Sequence, residues 1–382
     1  MESLITQVVY FGFFQSIFLL LIFLFSSKNR RNINGFIAFL VVILMIGLLG
    51  RVLFLSEIFG RNLRLISLSE MATLLFGPTV FLFTRSTLHG QQFEARALLH
   101  YLPAVVYNLA ILFVFVLPTD EELGRRIPTG ELFRTISLFI GVAIAFNFVY
   151  WWRSYRLFLN FKKKLQEELS FTLKTQFFHN FLLAIGGCLF AWVTFYLLSF
   201  TGNDMIERSA RQFIWLSLAF IILFIAYYGM TAPELYRFSP AISQPESPFP
   251  SPAKATPKYA QSKLDAADLD ALKDELEAIM REKKPFLNRK LMKAELAAML
   301  GVSNPEIARL LNERIGMNFF EYINYYRIME FVELAQKEEA KQLTFFGLAQ
   351  EAGFNSKTTF NKSFKKLMGT TPKEYFLQQK GR

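Results

Sequence analysis

Residues 356–366, with the sequence SKTTFNKSFKK, combine hydrogen-bonding and cationic side chains at helical spacing. If this run is a helix, Phe360 and Phe364 lie one turn apart on its buried face. The outward positions are then Lys357, Thr358, Asn361 and Lys362. Asparagine can pair with adenine, lysine with guanine, and threonine with either base. The pattern therefore predicts a helix that reads bases in a DNA major groove, followed by Lys365 and Lys366 as phosphate contacts.

The residues before this run complete a helix-turn-helix motif. A short preceding helix is predicted by the apolar residues Leu348, Ala349 and Ala352. Gly353 can take the turn, because glycine adopts positive φ without strain, and Phe354 can fill the core behind it. Ser356 suits the N-cap of the helix that follows.

A weaker version of the same motif lies upstream. Residues 290–300 have the apolar spacing of a short helix, and Gly301 ends it. Ser303 suits the N-cap of a second helix, since its hydroxyl can accept from backbone N–H groups of the first turn. In that helix Arg309 projects outwards, where its guanidinium can donate two hydrogen bonds to guanine. Asn304 is a second candidate for reading bases.

Several segments of this region resemble a known family. They lie in the two motifs and in the long helix predicted between them, at residues 318–336. The second motif reads AQEAGFNSKTTFNKSFKKLMGTTPKEY over residues 349–375, and the first contains ELAAMLGVS with INYYR after it. Through these segments, residues 285–376 resemble the AraC/XylS DNA-binding domain. The resemblance implies a sequence-specific transcription regulator whose two recognition helices enter successive major grooves.

The first recognition helix departs from the family pattern at two positions. Pro305 and Ala308 stand where members of the family often read bases, and their side chains offer no hydrogen-bond donor. Base reading by the first motif is therefore expected to depend mainly on Arg309, with Asn304 as a helper. The second motif is expected to supply more of the specificity.

The chain before residue 237 is apolar and contains seven stretches that predict membrane-spanning helices. A helix needs about 20 apolar residues to cross the hydrocarbon core. The predicted spans are residues 4–25, 35–55, 65–84, 99–117, 132–152, 178–200 and 212–230. The first lacks the basic start and the small-residue cleavage site of a signal peptide, so an uncleaved span is expected.

Loop charges predict how these spans are oriented. With the N-terminus outside, the loops on the cytoplasmic side carry eleven lysines and arginines, and the opposite loops carry six. Basic residues concentrate on the cytoplasmic side of membrane proteins. Seven crossings then leave the C-terminal DNA-binding region in the cytoplasm, where DNA is found. The predicted location is the bacterial inner membrane.

Two ionisable residues within the spans are candidates for a sensor site. Arg51 lies near the outer end of the second span and Glu70 near the outer end of the third, at similar depth. An ionisable side chain inside a span is a functional hypothesis by default. Either the two side chains pair, or each reaches the membrane surface separately.

Between the apolar part and the DNA-binding region, the chain predicts a tether and a helix. Six prolines between residues 239 and 258 are typical of an extended, semi-rigid linker. Residues 263–284 form an amphipathic pattern, which either packs on the DNA-binding domain or acts as a dimerising or signal-relaying helix. The predicted division is 1–237 for the membrane domain, 238–262 for the linker, 263–284 for the helix and 285–382 for the DNA-binding domain.

Other chemistry is not indicated by the composition. The excess of 42 Lys+Arg over 31 Asp+Glu is compatible with anionic lipid or nucleic acid as partners. The single cysteine, Cys188, cannot form an intrachain disulfide, and the three histidines are too scattered for a metal site. No nucleophile–base pair, phosphate-binding loop or paired carboxylate site is recognisable, so neither enzymatic activity nor a cofactor or metal is predicted.

These expectations combine into one hypothesis. The fold class is all-α, with a seven-helix transmembrane domain joined by a proline-rich linker to an AraC-type double helix-turn-helix domain. The predicted function is a one-component regulator that senses a signal through its membrane domain. Its expected partners are double-stranded operator DNA, the lipid bilayer, RNA polymerase, an unidentified small-molecule or membrane signal, and a second copy of the chain. The alternative is a membrane receptor or transporter with a cytoplasmic protein-interaction module.

Overall fold

The computed structural model of the chain describes residues 2–25, 35–59, 62, 64–89, 94–126, 128–172, 175–201, 204–231, 266–337 and 342–380. The regular structure in these ranges is helical, without β-strands, which confirms the all-α prediction. An isolated antiparallel bridge joins Leu169 and Met292. The predicted proline-rich linker, residues 238–262, lies outside the described residues.

The chain divides into two compact units. The first consists of Met1–Leu159 and Thr175–Pro248, and the second of Asn160–Lys174 and Phe249–Arg382. The segment Asn160–Lys174 thus belongs with the C-terminal region, although it lies between two apolar stretches in the sequence. The four-part division made from the sequence stays a prediction.

Most helices of the first unit overlap the predicted apolar stretches. The helices are α1 (Glu2–Phe25), α2 (Gly35–Ser56), α3 (Arg64–Glu70), α4 (Thr73–His89), α5 (Leu102–Ile111), α6 (Asp120–Arg126), α7 (Glu131–Glu168), α8 (Gln176–Ser199) and α9 (Asp204–Thr231). A 3-10 turn, Ala95–Tyr101, precedes α5 and a π turn, Leu112–Val116, follows it. Only the part of α7 before Asn160 belongs to this unit.

Six helical stretches of the described residues are long and apolar enough to cross a membrane. They are Leu4–Phe25, Gly35–Ser56, Ser67–Leu88, Ala95–Val116, Arg134–Glu168 and Gln176–Ser199. The last predicted span, residues 212–230, corresponds to a shorter apolar stretch, Gln212–Tyr228, within α9. The seventh crossing therefore stays a prediction.

The third predicted span is interrupted. Beyond the interruption, the side chain of Asn147 from another helix forms hydrogen bonds to its backbone. Helix α3 ends at Glu70 and α4 begins at Thr73. The Asn147 side chain on α7 donates to the Thr73 carbonyl at 3.1 Å and accepts from the Gly77 N–H at 2.8 Å. A regular helix would pair those two backbone groups directly. The Asn147 amide therefore bridges the first turn of α4 just before Pro78, whose ring nitrogen has no hydrogen to donate.

The second unit contains the predicted DNA-binding region. Its helices are α10 (Ala266–Glu282), α11 (Lys293–Met299), α12 (Asn304–Leu310), α13 (Phe319–Ala335), α14 (Phe345–Glu351), α15 (Lys357–Met368) and α16 (Pro372–Lys380). The predicted long helix is α13, and Asn318 caps it by accepting from the Glu321 N–H at 2.9 Å.

Two hydrophobic clusters support this region, and α13 contributes to both. Tyr322 and Ile323 pack in the cluster of the first motif, whereas Ile328 and Phe331 pack in the cluster of the second. The first cluster also contains the apolar face of α10. The amphipathic pattern at residues 263–284 is thus accounted for by packing on the DNA-binding domain, one of the two alternatives that the sequence left open.

Candidate nucleic-acid interface

The second recognition helix, α15, is anchored by aromatic residues on one face. Phe360 is 1% exposed and Phe364 is fully buried. The ring centroid of Phe360 lies 4.6 Å from that of Phe331 on α13. On the opposite face the predicted base-reading residues are all exposed: Lys357, Thr358, Asn361 and Lys362. The structure therefore gives α15 the inward and outward faces that the sequence predicted.

The turn before α15 requires glycine at position 353, and its neighbours fill the core and cap the helix. Gly353 has a φ of +96°, in the left-handed region that favours glycine. A Cβ atom at this position would lie 2.3 Å from the Phe286 carbonyl oxygen, so a larger residue would also displace backbone. Phe354 is fully buried beside the turn. Ser356 caps α15 by accepting from the Thr359 N–H at 3.4 Å.

The first recognition helix, α12, is shorter and begins with a reciprocal cap. The Ser303 N–H donates to the Glu306 carboxylate at 2.8 Å. The two predicted base-reading residues on this helix, Asn304 and Arg309, are exposed. Arg309 Nε also donates to Glu313 at 3.0 Å, one turn further along the chain. This ion pair directs the guanidinium along the helix surface.

The predicted phosphate contacts lie at the end of α15 and differ in their surroundings. Lys365 and Lys366 are both exposed. Lys366 donates a hydrogen bond to Glu321 on α13, and this bond lowers the pKa of the Glu321 carboxyl below its ordinary value. A phosphate at Lys366 must therefore compete with a carboxylate that the protein itself supplies.

A buried arginine, which the sequence prediction did not identify as a site residue, organises the region between the two motifs. The Arg327 side chain, on α13, is 1% exposed. Its guanidinium donates to the carbonyl oxygens of Phe286 and Asn288, each at 2.8 Å. Burial lowers the pKa of Arg327 to about 10, so the group stays charged at neutral pH. The isolated basic residue in the aromatic segment INYYRIMEF was the available signal.

Arg327 also binds a segment from a distant part of the sequence. Its guanidinium donates to the Ser170 carbonyl oxygen at 2.6 Å and to the Ser170 hydroxyl at 3.0 Å. The Ser170 hydroxyl in turn donates to the Leu291 carbonyl oxygen at 2.7 Å. Leu169, next to it, is buried and forms the isolated bridge with Met292. We call residues 166–172, which end α7 and follow it, the docked segment.

The docked segment reaches both motifs of the DNA-binding region. Its Glu168 carboxylate accepts from Lys293 at 2.7 Å, at the start of α11. Its Thr172 hydroxyl lies 2.8 Å from the Thr359 hydroxyl on α15. Gln166 lines a groove together with Lys362 and several residues of α13. The segment is thus adjacent to the recognition helix that carries most of the predicted base-reading residues.

The two candidate sensor residues lie in the first unit, away from this interface in sequence. The Arg51 guanidinium on α2 lies 5.7 Å from the centroid of the Phe54 ring. The Glu70 carboxylate, at the end of α3, accepts from the Thr73 hydroxyl at 3.5 Å. The proposed pairing of Arg51 with Glu70 stays a prediction.

Comparison with protein families identifies the C-terminal region. Residues 296–378 match a family model described as a helix-turn-helix domain, which is of the AraC type. Comparison of the chain with curated proteins and with solved structures gave no match. The chain therefore carries an AraC-type helix-turn-helix domain, with DNA as its partner. Such a domain points to a DNA-binding transcription regulator, a class that is typically not enzymatic.

Proposed function

We propose that this protein is a membrane-bound transcription regulator that reads a specific operator sequence and responds to a signal at its membrane part. The observation that carries the proposal is the pair of helix-turn-helix motifs around α13, each with an exposed recognition helix. Base reading is assigned to Asn304, Arg309, Lys357, Thr358, Asn361 and Lys362. Phosphate contacts are assigned to Lys365 and Lys366.

A membrane location is supported by the surface of the apolar helices. Large apolar side chains are exposed along α1, among them Phe11, Phe14 and Phe18, which are 56%, 60% and 58% exposed. Contiguous exposed apolar surface marks an interface with another molecule or a membrane. With six helices of spanning length, a lipid bilayer is the partner that fits. The proposal includes a seventh crossing by α9, an outer N-terminus and a cytoplasmic C-terminus.

Helix α7 is the proposed connection between the two functions. It has 38 residues, which corresponds to roughly 57 Å at about 1.5 Å per residue. The hydrocarbon core is only about 30 Å thick. The excess length carries the basic residues that were assigned to the cytoplasmic side and ends in the docked segment.

The docked segment is proposed to oppose DNA binding. Glu168 neutralises Lys293, a lysine at the N-terminal end of α11, where helix N–H groups and basic side chains favour phosphate. Gln166 shares a groove with Lys362. A duplex seated on α15 would meet the end of α7 that carries Glu168, and this carboxylate would repel the phosphates of the duplex. A signal that displaces this end of α7 would free the interface.

The proposed function is tested with the full chain in lipid nanodiscs. Selection from random duplexes should enrich one sequence, and footprinting should show two contacts about 34 Å apart, one helical turn. Asn361→Ala should weaken protection of that sequence. Lys373→Ala, an exposed lysine on α16, is the matched surface control. If no sequence is enriched and protected, the protein does not read an operator.

The orientation has its own test. A reporter fused to the C-terminus and active only outside the cytosol should give no signal, whereas a reporter active only in the cytosol should give full signal. The reverse result would place the helix-turn-helix domain away from DNA and exclude the proposed function in the cell.

A further inference from the structure

The first unit contains a partly open cavity of about 260 Å³. Its wall is formed by residues of α2, α3, α4, α7, α8 and α9. Gly47 on α2 lies close to Leu218 on α9, since a Cβ atom at position 47 would lie 3.1 Å from a methyl group of Leu218. Ligand sites in proteins are largely preformed, mostly apolar concavities with a few convergent polar groups. The size of this one suits a small organic molecule.

The cavity wall is rich in aromatic side chains. Trp192, Phe195, Tyr196 and Trp215 line it, along with Phe76. The polar atoms of two of these side chains are bound by the protein. Trp192 Nε1 donates to the Ser217 hydroxyl at 3.0 Å, and the Tyr196 hydroxyl donates to the Ser137 carbonyl oxygen at 3.1 Å. A ligand would therefore meet aromatic surface at these positions rather than free polar groups.

The electrostatics of the wall select for positive charge. Glu70 lines the cavity, and the described lining residues include no lysine, arginine or histidine. Its carboxylate accepts from the Thr73 hydroxyl at the long distance of 3.5 Å. Carboxylates bind ammonium groups by charge-assisted hydrogen bonds, and aromatic rings attract cations over their faces. A carboxylate among aromatic rings is a combination that both interactions favour for a cation.

A second buried polar group, the Ser69 hydroxyl, belongs to the residue next to Glu70. Ser69 lines the cavity and is 4% exposed, and within the described part of the chain its buried hydroxyl oxygen has no hydrogen-bond partner. Buried polar atoms of native proteins are nearly always hydrogen-bonded, and an exception calls for an explanation such as a ligand. Ser69 and Glu70 lie at the end of α3, where the helix is interrupted before α4. Interrupted helices at membrane depth are tolerated where they line a cavity.

We infer that this cavity binds a small, mainly apolar amine. The ammonium group donates to Glu70 and to the Ser69 hydroxyl, and the hydrocarbon part packs against the tryptophan, tyrosine and phenylalanine rings. A neutral or anionic analogue of the same shape keeps the packing and loses the charge-assisted bond. That the amine acts as the signal depends on the proposed function, whereas the binding itself does not.

The test uses the full chain in nanodiscs of phosphatidylcholine, without DNA. The probes are 2-phenylethylamine, 2-phenylethanol and phenylacetate, which share a ring and a two-carbon arm but differ in charge. Binding is measured by isothermal titration calorimetry. The amine should bind at least tenfold more tightly than the alcohol, and phenylacetate should bind most weakly. Equal affinity for all three probes would overturn the inference.

Variants locate the binding site. Glu70→Gln keeps the shape of the side chain and should remove the preference for the amine, and Ser69→Ala should weaken amine binding to a lesser extent. Glu121→Gln, on the exposed helix α6, is the control and should leave binding unchanged. Thermal unfolding of each variant in nanodiscs separates lost binding from lost folding. An amine preference that persists in a folded Glu70→Gln variant would refute the assigned site.

Lipid is the competing occupant of such a cavity. Native mass spectrometry of the purified chain should show no retained phospholipid that blocks the amine. A retained phospholipid that 2-phenylethylamine does not displace would assign the cavity to lipid and overturn the inference. Neither result affects operator footprinting, so failure here and failure of the proposed function are distinguishable.

Discussion

Releasing the docked segment should raise the affinity of the full chain for its operator. The variant carries three substitutions, each of which weakens or removes the side-chain contacts of one residue while largely preserving its size: Glu168→Gln, Ser170→Ala and Thr172→Val. In the proposed regulator the segment and the duplex compete for the same face of the DNA-binding domain. Weakening the segment's contacts therefore shifts the protein towards the form that binds DNA.

The contacts of the docked segment limit how much the operator affinity can increase. Glu168 is 40% exposed in its pair with Lys293, so solvent screening limits that contact to about 1 kcal/mol. The Ser170 hydroxyl, bonded to Leu291 and to the Arg327 guanidinium, contributes about 1.5 kcal/mol, and the Thr172 hydroxyl on Thr359 about 0.5–1 kcal/mol. The total of about 3 kcal/mol corresponds to a ceiling of roughly 100-fold in operator affinity.

The assay is fluorescence anisotropy of a labelled operator duplex titrated with the full chain in nanodiscs at one fixed salt concentration. Salt is held constant because phosphate contacts make affinity steeply salt-dependent. Glu167→Gln is the matched control, since it makes the same change in charge one residue away, at an exposed position. The fragment 258–382 lacks the docked segment and should bind at least as tightly as the triple variant.

Two outcomes would refute this reasoning. If the triple variant binds the operator no more tightly than the unmodified chain, the segment does not compete with DNA. If it binds more weakly, the segment supports the DNA-bound form. An increase of equal size in Glu167→Gln would instead assign the effect to net charge.

Other substitutions test single contacts. Lys362→Ala should reduce discrimination between operator and random duplexes by about 1–3 kcal/mol, whereas Lys365→Ala should weaken both duplexes alike; equal losses for both variants would contradict this division of roles. Glu321→Gln should release Lys366 for phosphate. In the same anisotropy assay, the affinity for both duplexes should then rise by a similar, few-fold factor, and unchanged affinity would show that Lys366 makes no phosphate contact. Phe364→Ala should destabilise the second motif by about 3–5 kcal/mol, measured by urea unfolding of the fragment 258–382, with exposed Lys373→Ala as the control; a loss below about 1 kcal/mol would contradict the packing around α13.

The second motif was predictable because its local signals agree. Gly353, Ser356 and the pair Phe360 and Phe364 each specify a turn, a cap or a buried face within a few residues of themselves. The structure shows each of these features where the sequence placed it. The first motif was less clear, because α12 is short, although its Ser303 cap was also foreseen.

The membrane part was predictable in outline and not in detail. Continuous apolar stretches indicate helices whatever their neighbours are, so most of the predicted spans coincide with helices. The break after Glu70 lies where this charged residue interrupts the apolar stretch, but the Asn147 hydrogen bonds from α7 to the backbone of Thr73 and Gly77 were not predicted. A contact between residues so far apart in sequence leaves no local pattern.

Local chemistry along the chain determined the helices, the helix-turn-helix turns and the exposed polar face of α15, since each depends on neighbours within one or two helical turns. Only the tertiary structure decided where distant residues meet: Arg327 with Ser170, Glu168 with Lys293, and Glu70 with the aromatic residues that line the same cavity. The physical reason is that hydrogen bonding and burial act over a few ångströms in space, and sequence distance does not report on that separation. The proposed control of DNA binding depends on these long-range contacts.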